Sequence, residues 1–199
     1  MPLPAIILAG GKATRMGGGD KGLLLLAGRP LLSHVIARLA PQCAPIAINA
    51  NGDPARFEAF GLPVLGDPLP DNLGPLAGIL AGMDWAATLG APAVISAAAD
   101  TPFFPSQLAT QLQQNAGPRG LCLAASRAGE RTYLQPTFGL WPTALRHDLR
   151  HALEGGLRKV RLWAANHEAG TATFAALPFD PFFNINTPED LEKAAALTP

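Results

Sequence analysis

The fold is decided by residues 5–21, which read AIILAGGKATRMGGGDK. The first five residues are short, apolar and rich in isoleucine, which predicts a buried β-strand. The residues that follow are dominated by glycine and carry three cations: Lys12, Arg15 and Lys21. Glycine lets backbone N–H groups come close to a ligand, and cations complement phosphate. A strand that ends in such a loop predicts a polyphosphate-binding site.

The bulk composition predicts one globular domain spanning residues 1–199. Of these residues, 48% are hydrophobic and 15% are charged, and the formal net charge is zero. A neutral chain lacks the excess of cations with which proteins bind nucleic acids, so we expect no nucleic-acid partner. Cys43 and Cys122 form no CxxC pair, which is typical of reduced thiols.

The N-terminus lacks the basic region and cleavage site of a signal peptide. The leucine run at 23–26 is far too short to span a bilayer. We therefore expect a cytoplasmic protein with no membrane partner.

Apolar segments alternate between the spacing of strands and that of helices. Predicted strands cover residues 5–9, 45–49, 62–65, 93–98, 121–125, 137–140 and 182–185. Predicted helices cover residues 31–39, 54–60, 74–89, 143–153 and 157–165, with one more that Ser106 caps and that ends at 114, and a last one that begins after Thr187. This alternation predicts a three-layer α/β/α, Rossmann-like fold with a mainly parallel sheet and right-handed crossovers.

Polar or glycine-rich residues follow four of the predicted strands. The glycine loop follows Ala9, Asn49 ends the second strand, Asp67 follows the third, and Asp100 follows the fourth. Because ligands of open α/β sheets bind at the carboxyl ends of the strands, these positions predict one site.

The glycine loop has alternative interpretations. It is not a P-loop, since no Gly-Lys-Ser/Thr completes a GxxxxG frame. Residues 17–22 spell GxGxxG, but this match lies well after the strand, and a dinucleotide site would also need an acid where this chain has Asn49 and Asn51. An ordinary flexible turn is the remaining alternative, and the three cations argue against it.

Asp100 is the candidate metal ligand. It ends a buried strand and precedes Thr101 and Pro102, which would fix its carboxylate at the sheet edge. Magnesium binds hard oxygen ligands, often one or two carboxylates together with phosphate oxygens and water. The alternative is a turn aspartate that bonds its own backbone.

Two asparagines and a histidine pair complete the candidates. Asn184 and Asn186 alternate along a predicted strand end, so both amides could face a metal or a phosphate, or they could support the helix that follows. His147 and His151 have zincin-like spacing, but Asp148 replaces the required glutamate and nothing marks a third ligand. We interpret that pair as part of a solvated helix face.

Taken in order, these motifs resemble a known family. The loop, then Asn49-Ala50-Asn51, Asp100-Thr101-Pro102-Phe103 and the segment from 184 to 190 are similar to the motifs of molybdenum cofactor guanylyltransferases. These are nucleotidyltransferases with a Rossmann-like, glycosyltransferase-A-type fold. The resemblance covers nearly the whole chain and includes the segments 74–78 and 136–141.

The resemblance implies a reaction in which GTP and molybdopterin-bound molybdenum give the guanine dinucleotide cofactor and pyrophosphate. It implies an N-terminal half that binds the nucleotide, a C-terminal half that binds the acceptor, and delivery to molybdoenzyme apoproteins or their chaperones. It also implies Mg²⁺ bound by Asp100, and Arg15, Lys21 and Asp100 as catalytic residues. The implied nucleotide- and cofactor-binding residues are Leu8, Ala9, Gly10, Gly11, Lys21, Asn49, Asp67, Gly74, Asp100, Asn184 and Asn186.

The chain departs from the family pattern at two places. Gln135-Pro136 stands where family members commonly have His-Pro, and Ala98-Ala99 where a cysteine is often found. Arg131 and Gln135 are candidates for the pterin side. Two alternatives stay open: a related transferase that uses CTP or a sugar phosphate, and a non-catalytic GTP-binding module that delivers cofactor.

Overall fold

The computed structural model describes residues 2–10, 19–70 and 73–197. Nine strands are present in this part of the chain: β1 (Ala5–Leu8), β2 (Leu25–Leu26), β3 (Arg29–Pro30), β4 (Ile46–Asn49), β5 (Val64–Leu65), β6 (Ala93–Ala98), β7 (Cys122–Ala128), β8 (Arg131–Pro142) and β9 (Gly170–Ala175). The described α-helices are α1 (Leu31–Leu39), α2 (Pro75–Thr88), α3 (Leu108–Gln114), α4 (Arg146–Glu154), α5 (Val160–Asn166) and α6 (Pro188–Ala196). Short 3₁₀ turns cover Lys21–Leu23, Pro54–Phe60 and Thr143–Leu145.

Seven of the strands form one mixed sheet in the order β5-β4-β1-β6-β8-β7-β9. The first four are mutually parallel, as the alternation of strands and helices predicts. β8 runs antiparallel to both β6 and β7, and β7 pairs in parallel with β9. The part of the sheet that carries the candidate nucleotide-binding residues is therefore parallel. The strand direction changes where the β7–β8 hairpin joins the sheet.

Helices cover both faces of this sheet, which confirms the three-layer architecture. One buried cluster packs α1 and α3 against one face and includes Phe57 and Phe104. The other packs α2, α4 and α5 against the opposite face and includes Trp141 and Trp163. Within the described residues, no helix is both long and apolar enough to cross a membrane.

Most predicted elements are confirmed, and the differences have local reasons. Residues 182–185 form no strand, because they are an extended connection that packs Ile185 and Phe182 into the core without pairing. Ser106 does not cap α3, whose cap position is Gln107, because Pro105 and Ser106 belong to the preceding turn. The sequence analysis did not predict β9, because small and polar residues alternate along Gly170–Ala175.

The start of α6 follows the sequence prediction in detail. The Thr187 hydroxyl accepts from the Asp190 N–H, and the Asp190 carboxylate accepts from the Thr187 N–H. This reciprocal capping box satisfies N–H groups that no helical carbonyl can reach. It fixes where the segment before the helix ends, and that segment carries Asn184 and Asn186.

Both cysteines are buried and free, as expected. Burial raises the pKa of the Cys43 thiol to about 12 and that of the Cys122 thiol to about 11. Thiols with such pKa values stay protonated near neutral pH, so neither cysteine is a nucleophile.

Candidate active site

Sheet register brings the predicted site residues into one row. Leu8 pairs with both Asn49 and Ala98, and Asn49 pairs with Leu65, so four parallel strands end at one level. Two residues beyond these four positions lie Gly10, Asn51, Asp67 and Asp100. The expectation that the carboxyl ends of the strands converge is therefore confirmed.

A cavity of about 510 Å³ opens above this row. That volume is ordinary for a small-molecule site. Its lining residues are Leu8, Gly10, Asn49, Asn51, Asp67, Gly74, Pro75, Ala98, Asp100, Thr137 and Asn184. Seven of these are residues that the sequence analysis predicted for the site: Leu8, Gly10, Asn49, Asp67, Gly74, Asp100 and Asn184.

At the β4–β5 end of the cavity, two asparagines hold Asp67. Asn49 Nδ2 donates to Asp67 Oδ1 at 3.0 Å, and Asn51 Nδ2 donates to Asp67 Oδ2 at 2.7 Å. The Asp67 N–H donates back to Asn51 Oδ1 at 2.8 Å. Each carboxylate oxygen keeps a further lone pair, so this arrangement offers fixed acceptors to a ligand that carries N–H groups.

Asn49 itself is held by the close approach of α2. It is 5% exposed, and its Nδ2 also donates to the Leu65 carbonyl. A Cβ on Gly78 of α2 would overlap Asn49 Oδ1 and would lie 2.9 Å from Leu8 Cδ2. Because residue 78 is glycine, α2 can approach the end of β4 closely, and the two elements together form this wall of the cavity.

At the centre of the row, Lys21 joins the glycine loop to Asp100. Its Nζ lies 3.3 Å from Asp100 Oδ2 and also donates to Asn186 Oδ1. The side chains of Lys21 and Asp100 are 18% and 15% exposed. A half-buried cation beside a carboxylate and an amide oxygen is suited to a triphosphate with its counter-ion.

The segment before α6 supports this centre. The Ile185 N–H donates to the Asp100 carbonyl at 3.0 Å, and the Asn186 N–H donates to Asp190 Oδ2 at 3.0 Å. This hydrogen bond from Asn186 lowers the pKa of Asp190, and those from Thr187 lower it further despite some desolvation. An ionised Asp190 thus anchors the asparagine that contacts Lys21.

The donor set at Asp100 fits magnesium. Across residues 2–10, 19–70 and 73–197, no group of three or more His, Cys, Asp or Glu side chains could form a closed metal site. Asp100 and Asn184 both line the cavity, so they could offer a carboxylate and an amide oxygen to a metal ion. Mg²⁺ takes such sites when substrate phosphates complete its ligands.

Arg56 links the residue before Lys21 to the strand end at Asn51. Its Nε lies 2.6 Å from Asp20 Oδ2. This contact is an ion pair, and its angles do not meet those of a hydrogen bond. One terminal nitrogen of Arg56 donates to the Asn51 carbonyl. Asp20 precedes Lys21, so this side chain connects the lysine segment with the asparagines around Asp67.

The remaining predicted residues lie outside the cavity lining. Ala9 is buried, and its N–H donates to the Asn49 carbonyl. Lys21 and Asn186 reach the site through their contact with each other and with Asp100. Gly11 and Arg15 lie outside the described residues.

Four lining residues were missing from the predicted site: Asn51, Pro75, Ala98 and Thr137. Asn51 lies two residues after Asn49, and that spacing at a strand end was a usable signal. Thr137 lies in β8, which enters the sheet antiparallel, so the rule about parallel strand ends could not find it.

The two zincin-like histidines lie in α4, and their neighbour Asp148 has another role. The Trp163 indole and His167 Nε2 both contact Asp148 Oδ1, at 2.9 and 2.7 Å. Partial burial raises the pKa of Asp148, but these two contacts outweigh it, so the net shift is downward. This group braces α4 against α5 and lies outside the cavity lining.

Comparisons with known proteins agree with this geometry. The sequence profile of the MobA-like NTP transferase domain matches residues 5–169. A molybdenum cofactor guanylyltransferase of Bradyrhizobium sp. (strain ORS 278) is 52% identical over 98% of this chain and 92% of its own length. The protein of that name from Rhodopseudomonas palustris (strain BisB5) is 50% identical over 96% of this chain and 91% of its own.

Solved structures share the fold. Molybdopterin-guanine dinucleotide biosynthesis protein A from Archaeoglobus fulgidus superposes with a TM-score of 0.68 at 22% identity, and 98% of each chain is covered. A CMP:2-keto-3-deoxy-manno-octonic acid synthetase complexed with CTP gives 0.71 at 15% identity, again over 98% of each chain. Together with the profile match and the identities above, these findings show that the chain belongs to the MobA-like NTP transferase family, among the molybdenum cofactor guanylyltransferases.

Proposed function

We propose that this chain transfers GMP from GTP to molybdopterin-bound molybdenum, forming the guanine dinucleotide cofactor and releasing pyrophosphate. The observation that carries the proposal is one cavity lined by both Asp67, with its two asparagines, and Asp100, which contacts Lys21. Relatives named for this activity are about half identical to the chain over nearly its full length. The site has one end suited to a base or ribose and a centre suited to phosphates.

The Asp67 end would bind the nucleoside. Guanine presents the N1–H and N2–H₂ donors side by side, and a carboxylate held by Asn49 and Asn51 offers acceptors to them. Adenine lacks this pair of donors on the same edge. The fixed acceptors therefore favour guanine over adenine.

The Lys21 centre would bind the triphosphate. A terminal phosphate oxygen of the pterin attacks the α-phosphorus of GTP in line, one P–O bond forms, and the bond to the departing pyrophosphate breaks. Lys21 holds phosphate charge at this point, and we propose that Arg15 of the glycine loop does the same. A phosphate nucleophile is already ionised near neutral pH, so the reaction needs no general base.

Asp100 would hold Mg²⁺, with Asn184 as a second candidate ligand. When bound, the ion neutralises negative charge that develops on the phosphate oxygens. Lys21 lies 3.3 Å from the same carboxylate, so it holds the Asp100 side chain in place at the cavity. The neighbouring Asn186 fixes the lysine in turn.

The far side of Asp100 would bind the acceptor. Sheet order places the Asp67 end at β4 and β5, and Thr137 of β8 on the opposite side of β6. Phe182, two residues before Asn184, packs against Phe138 of β8. In-line transfer requires a substrate there to approach the α-phosphorus from the side opposite the departing pyrophosphate. We therefore propose that the cavity has a nucleotide half at β4 and β5 and an acceptor half beyond β6.

The deciding experiment measures pyrophosphate released from Mg-GTP with and without molybdopterin. We expect release only when both substrates are present, together with formation of the dinucleotide product. Release with CTP in place of GTP would support the related cytidylyl transferase instead. Binding of GTP with no release under any condition would support a delivery module.

A further inference from the structure

A chain of hydrogen bonds links β8 to the segment that carries Asn184 and Asn186. Gln135 Nε2 donates to Ser126 Oγ at 3.2 Å, and Ser126 Oγ donates to Asp180 Oδ2 at 2.9 Å. The other oxygen of Asp180 accepts from the Phe182 N–H at 2.9 Å. Ser126 is fully buried in β7, so its hydroxyl depends on these two partners.

The direction of this chain is set by chemistry. A carboxylate only accepts, so the single hydrogen of the Ser126 hydroxyl goes to Asp180. The hydroxyl oxygen can then only accept from Gln135, which must therefore present its amide nitrogen. Position 135 consequently requires a donor.

The segment held in this way reaches the centre of the site. Phe182 packs against Phe138 and Phe174, with ring centroids 5.0 and 5.6 Å apart. Beyond it, Asn184 lines the cavity and the Ile185 N–H donates to the Asp100 carbonyl. The Asp180 carboxylate holds the start of this segment, as the Asp190 carboxylate holds its end.

We infer that Gln135, Ser126 and Asp180 are positioning residues that hold residues 181–186 against Asp100 and so set the use of the acceptor. The inference rests on the proposed function. The relay lies on the β7–β8 side of the site, away from the Asp67 end, so it acts on the acceptor more than on the nucleotide. A histidine at position 135 could supply the same N–H.

The test compares three variants of the full chain. Gln135→Glu keeps the shape but removes the donor and places two carboxylates around one hydroxyl. Gln135→His keeps a donor. Gln114→Glu makes the same chemical change at an exposed position at the end of α3 and is the matched control.

We expect Gln135→Glu to raise the KM for molybdopterin roughly tenfold, the effect of about one lost hydrogen bond. The affinity for Mg-GTP, measured by calorimetry, should stay within about threefold of the starting protein, well inside the effect of one hydrogen bond. Amide hydrogen exchange should rise at residues 182–186 in this variant alone. In Gln135→His, the KM for molybdopterin and the amide exchange at residues 182–186 should both stay close to those of the starting protein.

Several outcomes would overturn the inference. These are a KM for Gln135→Glu equal to that of Gln114→Glu, unchanged exchange at residues 182–186, or a loss of GTP affinity as large as the change in KM. If exchange rises as expected but the starting protein forms no dinucleotide, the proposed function fails and the relay remains only a brace of the segment.

Discussion

At the scale of single residues, the site depends on the pair formed by Lys21 and Asp100. The two side chains are 3.3 Å apart and mostly shielded from solvent, so each controls the charge around the other. Asn186 joins them from the far end of the chain, 165 residues after Lys21. Two predictions follow from the separate tasks of the cation and the carboxylate.

Asp100→Asn should lower magnesium-dependent turnover by about a hundredfold or more, a barrier change of roughly 2.7 kcal/mol. The substitution keeps the shape of the side chain and removes the charge that would hold the ion. Initial rates of pyrophosphate release over a magnesium titration measure the effect. Asp84→Asn, which removes a surface ion pair with Arg150, should leave the rates unchanged. Normal turnover by the Asp100 variant would exclude this carboxylate as the metal ligand.

Lys21→Ala should weaken GTP binding by ~1.5–3 kcal/mol, the range for a hydrogen bond to a charged group. Calorimetric titration with Mg-GTP measures this loss. Lys159→Ala removes a lysine from an exposed position before α5 and is the control. An affinity equal to that of the control would remove Lys21 from the phosphate site.

At the scale of elements, α2 has two glycines one turn apart, one facing the cavity wall and the other facing the core. Gly78 faces Asn49 and Leu8 at the cavity wall, whereas Gly82 faces Ile6 in the core, where an added Cβ would lie 2.6 Å from Cγ2. Both positions are too tight for a methyl group. Only Gly78 faces residues that line the cavity, namely Asn49 and Leu8.

We therefore expect Gly78→Ala and Gly82→Ala each to destabilise the fold by about 1–3 kcal/mol, the usual cost of overpacking. Only Gly78→Ala should also weaken GTP binding, because it displaces the Asn49 side chain. Urea unfolding and calorimetry on the same samples separate the two effects. Equal GTP affinities in the two variants would show that Asn49 tolerates the displacement.

The capping box of α6 predicts a dependence of stability on pH. Hydrogen bonds from Asn186 and Thr187 lower the pKa of Asp190, so its ionised form is favoured in the folded protein. The stabilisation is present above the unfolded pKa, near 3.9, and is lost as pH falls through the lower folded value.

Asp190→Asn should accordingly lower Tm at pH 7, and the Tm difference from the starting protein should shrink as pH falls below about 4. Thermal unfolding followed by circular dichroism across this range gives the comparison. Glu58→Gln, at an exposed position in the 3₁₀ turn after β4, should show no such trend. A Tm difference that is independent of pH would contradict the role of the Asp190 charge.

At the scale of the whole molecule, the cavity joins parts of the chain that are far apart in sequence. Its walls come from four parallel strand ends, from the start of α2, from β8 and from the segment before α6. A nucleotide that fills it contacts several of these at once. Binding should therefore stabilise the whole fold.

GTP with magnesium should raise Tm more than CTP, ATP or UTP at the same concentration. At a hundred times the dissociation constant, a ligand that binds only the folded state adds about 2.7 kcal/mol of stability. A thermal-shift series over the four nucleotides ranks their affinities without any need for acceptor. A larger shift with CTP than with GTP would contradict the proposed base preference.

Local sequence patterns are enough to predict the parallel half of the fold and the row of polar residues at its edge. β1, β4 and β6 are short, mainly apolar runs. Asn49 ends β4, Asp67 follows β5 and Asp100 follows β6, so the three side chains come together once the strands align. Their positions follow from periodicity and from the geometry of parallel sheets, which need no knowledge of distant contacts.

Which distant side chains complete the site depends on how the whole chain folds. The contact of Lys21 with Asn186, the capture of Asp67 by two amides and the entry of β8 between β6 and β7 join segments that no local signal connects. Long-range pairs form because the fold closes around a shared core and buried polar groups must find partners there. Local sequence preferences therefore determine the helices and strands, whereas the packing of the whole chain determines which polar side chains come into contact.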